Sequence, residues 1–540
     1  MKKTISLLFL LLLTSNFLNA QESISETEKL ASLSKVYGFL KYYHPEVASG
    51  TFNWDQQFIE QLPKVLKATD KESLSQIYID WIGSLGKIEK CRKCDSKATY
   101  FDKNFDLSWT KDTVYFNKSL SLKLEYIEKN RIQGDQFYVK KQPVGNIKVT
   151  NEPEYKNFDY PSEEFRLLGL FKYWNIIEYF YPYKYLTDQK WDSVLKEMIP
   201  KIRNASNRKE YHLALQELIA KLDDTHASIT LSEEKSKYLP IKISHLDNQA
   251  VISGFYNDSI AKLNKLQLGD VILKLNDLDV RKETQKNLKY VAGSNSNIKF
   301  KLTYFKLFKG LEDTISLTIN RNDSIKIIKI KRYDFDDFNY SNNPKTIKSK
   351  SISDAIGYVN MANVKEEDIR DIFKSFKNKT ALIIDLRNYP SFIYYKFSEY
   401  LNQEKKNFTT YYCPDINYPS RFIKTNLRTN GSKKAFAGKV IVLVNEESLS
   451  LSEFTTMAFQ TADNVVTVGN QTAGADGDVV KFDYLGGFKT TMSGNGVIYP
   501  DGTLSQRNGI KIDVIVKPSL EGLRQGRDEI LEKAIEIANE

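Results

Sequence analysis

Two stretches of this chain match each other at a constant offset of 137 residues, and that repeat constrains the fold more than any other feature. The first runs Lys35-Val-Tyr-Gly-Phe-Leu-Lys-Tyr-Tyr-His-Pro45 and continues to Trp54-Asp55 and Pro63-Lys64. The second runs Lys172-Tyr-Trp-Asn-Ile-Ile-Glu-Tyr-Phe-Tyr-Pro182 and continues to Trp191-Asp192 and Pro200-Lys201. Both are aromatic-rich with helical spacing, and Pro45 and Pro182 close a helix because the residue before a proline is driven out of the α region. The expectation is two copies of one small helical bundle whose aromatic residues form cores. The second copy continues into Leu222-Asp-Asp-Thr-His226-Ala-Ser-Ile229, and the position matching His226 in the first copy is Glu89. Packing requires neither residue, so the difference points to a site served by the second copy alone.

Around these copies the chain divides into five parts. Lys2 and Lys3 precede the apolar run Ile5 to Leu13, and Leu18-Asn-Ala20 follows. That pattern reads as a secretory signal peptide over residues 1–20, since the run is shorter than the roughly 20 residues a membrane-spanning helix needs. The product is expected to be exported, periplasmic or secreted, without stable membrane insertion. Residues 21–150 hold the first helical copy plus short strands, read from the alternation at Val114-Tyr-Phe116 and Leu120-Ser-Leu-Lys-Leu124. Residues 160–235 hold the second copy, 241–332 a β-rich segment and 345–540 an α/β domain. Cys91-Arg-Lys-Cys94 is the single CxxC, so it reads as a local disulfide rather than half of a zinc site. Four histidines leave little room for a multi-histidine metal site. The +10 charge is spread over 540 residues without a basic block, which excludes dedicated nucleic-acid binding.

Within 241–332 stands Leu266-Gln-Leu-Gly269-Asp270-Val-Ile-Leu-Lys-Leu-Asn276-Asp277, which resembles the signature segment of PDZ domains, with Asp277 where a glycine is usual. The resemblance implies an extended peptide added to a sheet edge.

The C-terminal part alternates apolar runs with helical patterns. Ala381-Leu-Ile-Ile-Asp385-Leu-Arg387 and Lys439-Val-Ile-Val-Leu-Val444 read as short buried strands of an α/β layer fold. The second leads into Asn445-Glu-Glu-Ser448-Leu-Ser450-Leu-Ser452-Glu453. A strand, a tight turn and a helix start expose a hydroxyl where free helix N–H groups can receive an oxyanion. Ser450-Leu-Ser-Glu453 also fits a capping box, which needs no chemistry.

Taken together, the chain resembles the C-terminal-processing (tail-specific) and tricorn-type serine peptidases over roughly residues 160–540. The Thr-His step, the PDZ-like segment, Asp385-Leu-Arg387, the serine elbow, Gly469-Asn-Gln-Thr472-Ala-Gly474 and the closing stretch from Tyr499 to Asp513 carry the likeness. It implies a multidomain α+β chain with a C-terminal α/β core of the ClpP/crotonase type. Ser450 falls on the nucleophile, with Ser448 and Ser452 as alternatives. The lysine used by the bacterial processing enzymes is replaced by Ala475, so the tricorn scheme applies, with His226 as general base and Thr225 as auxiliary hydroxyl. The residue orienting the histidine, a glutamate in that scheme, is Gln506 here; Asp223 and Asp224 are the alternatives, read as bonding backbone or solvent. The oxyanion donors are the backbone N–H groups of Leu451 and Ser391, the latter in Asn388-Tyr-Pro-Ser391, where the family carries a glycine pair. The function implied is peptide-bond cleavage through an acyl-enzyme, with polypeptide substrates engaged at their C-termini by the PDZ-like segment. The resemblance implies no metal and no organic cofactor. The rival reading is a weak or inactive peptide-binding protein on the same fold. A third makes the first repeat copy a glycan- or partner-binding module.

Overall fold

The computed structural model describes residues 24–94, 98–231, 235–338 and 347–540. Residues 1–20, expected as a signal peptide, lie outside the described residues. Two compact units emerge, Met1–Asp95 with Asp106–Gln136, and Ser96–Phe105 with Phe137–Glu540.

The first unit is helical. Helix α1 (Glu26–Tyr43) starts at a capping box in which Ser25 and Glu28 satisfy each other's N–H groups. Helices α2 (Trp54–Lys67) and α3 (Lys71–Ser84) follow, capped by Asn53 and Asp70. The stretch Leu120–Leu124, expected as a strand, is instead part of α4 (Lys118–Lys129). Its leucines alternate, but Asn117 caps the segment and Leu120, Leu124 and Ile127 are buried at helical spacing, while Leu122 is 55% exposed. Val114–Phe116 is turn rather than strand, and Val114 is 67% exposed. The strands of this stretch are Tyr100–Phe101, Val139–Lys141 and Ile147–Val149, and all belong to the second unit. Cys91 and Cys94 are joined as a disulfide.

The second unit opens with the repeat's second copy: α5 (Glu163–Phe180), α6 (Trp191–Arg203) and α7 (Arg208–Ala220). Each helix begins 137 residues after its counterpart. One buried bond is also reproduced: Trp54 Nε1 donates to the Tyr37 carbonyl at 3.2 Å, and Trp191 Nε1 to the Trp174 carbonyl at 3.0 Å. The aromatic residues are core in both copies; Tyr37, Trp54, Tyr173 and Trp174 are buried.

After α7 the chain turns at Asp223, φ 49°, into the short strand β1 (Ser228–Thr230). The next segment forms an antiparallel sheet of β2 (Ile241–Leu246), β3 (Gln249–Phe255), β4 (Val271–Leu275), then helix α8 (Ser296–Phe308), β5 (Thr314–Arg321) and β6 (Ser324–Lys331). Its order is β6-β5-β4-β3-β2, which leaves β2 at one edge. Asp270, which opens β4, is buried and held by Arg321 at 2.6 and 2.7 Å.

The C-terminal sheet has the order β7 (Ser349–Ser351), β8 (Ile356–Asn360), β9 (Ala381–Asp385), β10 (Lys439–Val444), β11 (Val465–Gly469), β14 (Val514–Ile515); β8, β9, β10, β11 and β14 run parallel and β7 is antiparallel. Between β10 and β11 runs α9 (Leu451–Phe459), and α10 (Glu529–Asn539) ends the chain. Phe454, Met457 and Phe459 of α9 pack one face of the sheet, and Ile530, Ala534 and Ile537 of α10 the other. Both faces of β9 and β10 are thereby covered, which is why those strands read as unbroken apolar runs. A further small sheet joins β12 (Val479–Tyr484), β13 (Phe488–Ser493) and β1.

Candidate active site

The residues singled out from sequence gather where β9, β10 and β11 end, the usual ligand edge of a parallel sheet. Ser450 lies between β10 and α9 with φ 57° and ψ −115°, a conformation costly for a side-chain-bearing residue. It is half-buried, whereas Ser448 and Ser452 are fully buried. Their hydroxyls are committed: Ser448 Oγ donates to the Leu386 carbonyl at 2.8 Å, and Ser452 Oγ to the Asn388 carbonyl. These bonds tie the turn to the end of β9 and leave Ser450 as the accessible serine. Glu453, fully buried, supplies the glutamate half of the anticipated capping box by accepting the Ser450 N–H at 3.2 Å. It also accepts from Thr472 Oγ1, from Gly474 N at 2.8 Å and from Ala475 N at 3.0 Å. Burial pushes the Glu453 carboxyl up to about 7, against those donors. Ala475, at the lysine position, is buried and its carbonyl accepts the Ser450 N–H at 3.0 Å. Gly474 has φ +67°, and a Cβ there would sit 2.8 Å from the Arg507 carbonyl.

His226 reaches this region through strand pairing. β1 pairs with β13 so that Ser228 faces Thr491, and the same register carried two residues further sets His226 opposite Ser493. The imidazole Nδ1 meets Ser493 Oγ at 2.9 Å. Ser493 Oγ in turn donates to Asp224 Oδ1 at 3.0 Å, and the Ser493 N–H to Asp224 Oδ2 at 2.9 Å. Asp224, fully buried, also accepts the His226 N–H at 3.0 Å. His226 Nε2 has no hydrogen-bond partner among the described residues. Desolvation holds the His226 imidazole below its ordinary pKa, opposed by the charges of Asp224 and Asp478.

Gln506 does not bond His226, the contact the sequence assigns to it. Its Nε2 donates to Asp224 Oδ1 at 3.3 Å and its Oε1 accepts the Asp476 N–H at 3.3 Å. Thr225 is likewise turned elsewhere: its hydroxyl donates to Ser294 Oγ at 3.1 Å. Asp223 forms an ion pair with Lys299 at 2.7 Å. Leu451 opens α9, so its N–H is one of the first-turn amides without an intrahelical partner. Ser391 lies three residues beyond the Asn388 anchor, and its carbonyl accepts the Ile393 N–H at 2.8 Å. Among the described residues no hydrogen bond joins Ser450 to His226. The two are linked by a run of contacts through Ala475, Asp476, Gln506, Asp224 and Ser493.

Sequence reasoning set Asp224 aside and missed Ser493, Glu453's wider role and Asp476. Asp476 is buried, its Oδ2 has no partner among the described residues, and burial raises its carboxyl well above the ordinary range. The adjacency of Asp224 to His226 was a usable signal; Ser493 carries none, because strand register alone brings it in. Among the described residues no group of three or more His, Cys, Asp or Glu has the arrangement to hold a metal ion.

A parallel sheet with a strained, half-buried serine at a strand-to-helix elbow is an arrangement that presents a hydroxyl beside free helix N–H groups. Residues 355–516 match the family model of peptidase family S41. The fold is similar to mature CPAF complexed with lactacystin, at TM-score 0.56 and 13% identity, over 70% of this chain and 98% of that one. Mature CPAF gives 0.55 and 14%, over 70% and 96%. No curated protein matches the chain.

Proposed function

We propose that this chain is an exported serine endopeptidase in which Ser450 is the nucleophile and His226 the general base. The observation that carries the reading is the division of labour at the elbow: Ser448 and Ser452 spend their hydroxyls on carbonyls, while Ser450 is held accessible in a strained backbone. His226 complements it, with Nδ1 engaged and Nε2 unpartnered among the described residues. A neutral imidazole, which desolvation favours, is the form a base requires.

In the forward step Ser450 Oγ bonds to the scissile carbonyl carbon and its proton passes to His226 Nε2. The oxyanion lies against the N–H groups of Leu451 and Ser391. Collapse breaks the C–N bond, the imidazolium protonates the leaving amine, and an acyl-Ser450 remains for water to release by the same route. Catalytic hydrogen bonds often tighten only once substrate is bound, so closure around a polypeptide would bring Nε2 onto Oγ. The sheet of residues 241–332 serves as the PDZ-like recruiting module, with edge strand β2 offered to an extended substrate C-terminus. The Cys91–Cys94 disulfide fits an oxidising, extracytoplasmic location, and among the described residues no helix is long and apolar enough to cross a membrane.

A fluorophosphonate probe with peptide mapping tests the assignment. Modification of Ser450, absent in Ser450→Ala together with peptide cleavage, is the expected result. Labelling or cleavage that persists in Ser450→Ala overturns it.

A further inference from the structure

We infer that Asp224 and Ser493 form the positioning pair for His226, the part that sequence comparison gives to Gln506. The inference rests on the Ser450–His226 reading and deepens it. Ser493 Oγ stands between two groups, 3.0 Å from Asp224 Oδ1 and 2.9 Å from His226 Nδ1. An aspartate accepting four bonds, from the His226 N–H, the Ser493 N–H, the Ser493 hydroxyl and the Gln506 amide, offers no proton in return. The single Ser493 proton therefore points at Asp224, and the Ser493 oxygen receives Nδ1–H. That fixes one tautomer: Nδ1 carries the proton and the Nε2 lone pair is left for Ser450. The same carboxylate fixes the backbone of both residues through their N–H groups, so ring and relay move as one body.

This arrangement also accounts for Gln506. Its amide N–H group donates to Asp224. A glutamate there would set a second carboxylate against Asp224 in a buried space, where like charges repel strongly. The glutamine is thus the partner that an upstream aspartate requires, not a weakened third member. The charged groups acting on the imidazole are Asp224 and Asp478.

Three measurements on the full chain test the pair. Nitrogen-15 histidine spectra of Ser450→Ala should show one of the chain's four histidines, assigned as His226 by its loss in His226→Gln, neutral with Nδ1 protonated. Adding Ser493→Ala should shift that ring toward the Nε2–H form. In peptide hydrolysis, Ser493→Ala and Asp224→Asn should lower kcat on the order of 10²-fold with KM little changed, the size of a general-base contribution. Ser493→Thr, which keeps the hydroxyl, should recover most of it, and Asp224→Asn should also move the acidic limb of the pH profile to lower pH. Gln506→Glu should lower activity. A Nε2–H ring in Ser450→Ala, a tautomer indifferent to Ser493→Ala, or a gain of activity in Gln506→Glu overturns the pair. Fluorophosphonate labelling of the unsubstituted chain separates the two failures. No labelling at Ser450 sinks the peptidase reading and the pair's role with it, whereas normal labelling with the wrong tautomer sinks the pair alone.

Discussion

The Glu453 carboxylate accepts the backbone N–H of Ser450 at 3.2 Å while holding Thr472, Gly474 and Ala475, so one buried side chain sets both the nucleophile's backbone and the segment beside it. Glu453→Gln keeps the volume but turns an NH2 toward backbone donors. Leaving such a group unsatisfied costs about 1–3 kcal/mol, to be read as a lower urea midpoint with unchanged slope, alongside reduced hydrolysis. The pH dependence has a defined sign. A carboxyl lifted to about 7 binds its proton more tightly in the folded state, so its contribution is present below the unfolded value and lost as pH rises through 7. The penalty of Glu453→Gln should therefore be larger at pH 5 than at pH 8.

The three serines of the elbow should separate cleanly in a mutational series. Ser450→Gly relieves a positive-φ strain of about 1 kcal/mol and should raise thermal stability while abolishing cleavage. Ser448→Ala and Ser452→Ala strand the Leu386 and Asn388 carbonyls, and each should cost about 1 kcal/mol while leaving fluorophosphonate labelling of Ser450 detectable. A destabilised Ser450→Gly would contradict the strain reading.

Much of this was legible from local pattern. The 137-residue repeat, the disulfide and the buried runs of β9 and β10 depend on neighbours in sequence or on composition, and the structure has them where the residues imply. Leu120–Leu124 failed because alternation over five residues fits a strand and one and a half helical turns alike; the Asn117 cap decided it. Ser493 was invisible because it enters through β1–β13 register across more than 260 residues of chain. The Gln506 contact was misplaced because the resemblance supplied a role, while the amide's nearest acceptor, Asp224, is a partner only folding reveals.

The β-rich module is wired to the site at the start of α8. Asn295 Nδ2 donates to the Thr472 carbonyl at 2.9 Å and to that of Ala473 at 3.2 Å, and Ser294 Oγ accepts the Thr225 N–H at 2.9 Å. Removing these ties frees the segment that Glu453 positions. Asn295→Ala should lower kcat several-fold with a stability loss of about 1 kcal/mol, measured by peptide hydrolysis and calorimetry. Unchanged kcat would show that the 472–475 segment is held by Glu453 alone.

His44 makes the first helical unit acid-sensitive. It follows α1, is fully buried, and both ring nitrogens lack partners among the described residues. Burial lowers its pKa to about 4, outweighing the nearby Glu46. The unfolded chain, with an ordinary imidazole, binds the proton more readily. The unit is therefore at full stability above the ordinary imidazole pKa and loses stability as pH falls from there toward 4. A shift of this size corresponds to about 3 kcal/mol, at 1.36 kcal/mol per pKa unit. His44→Phe preserves an apolar ring and removes the titration. In urea denaturation at pH 4.5 and 7.5, the unsubstituted chain should lose stability at the lower pH and His44→Phe should lose less. Equal acid losses in the two chains would mean that the ring is hydrated or paired in solution.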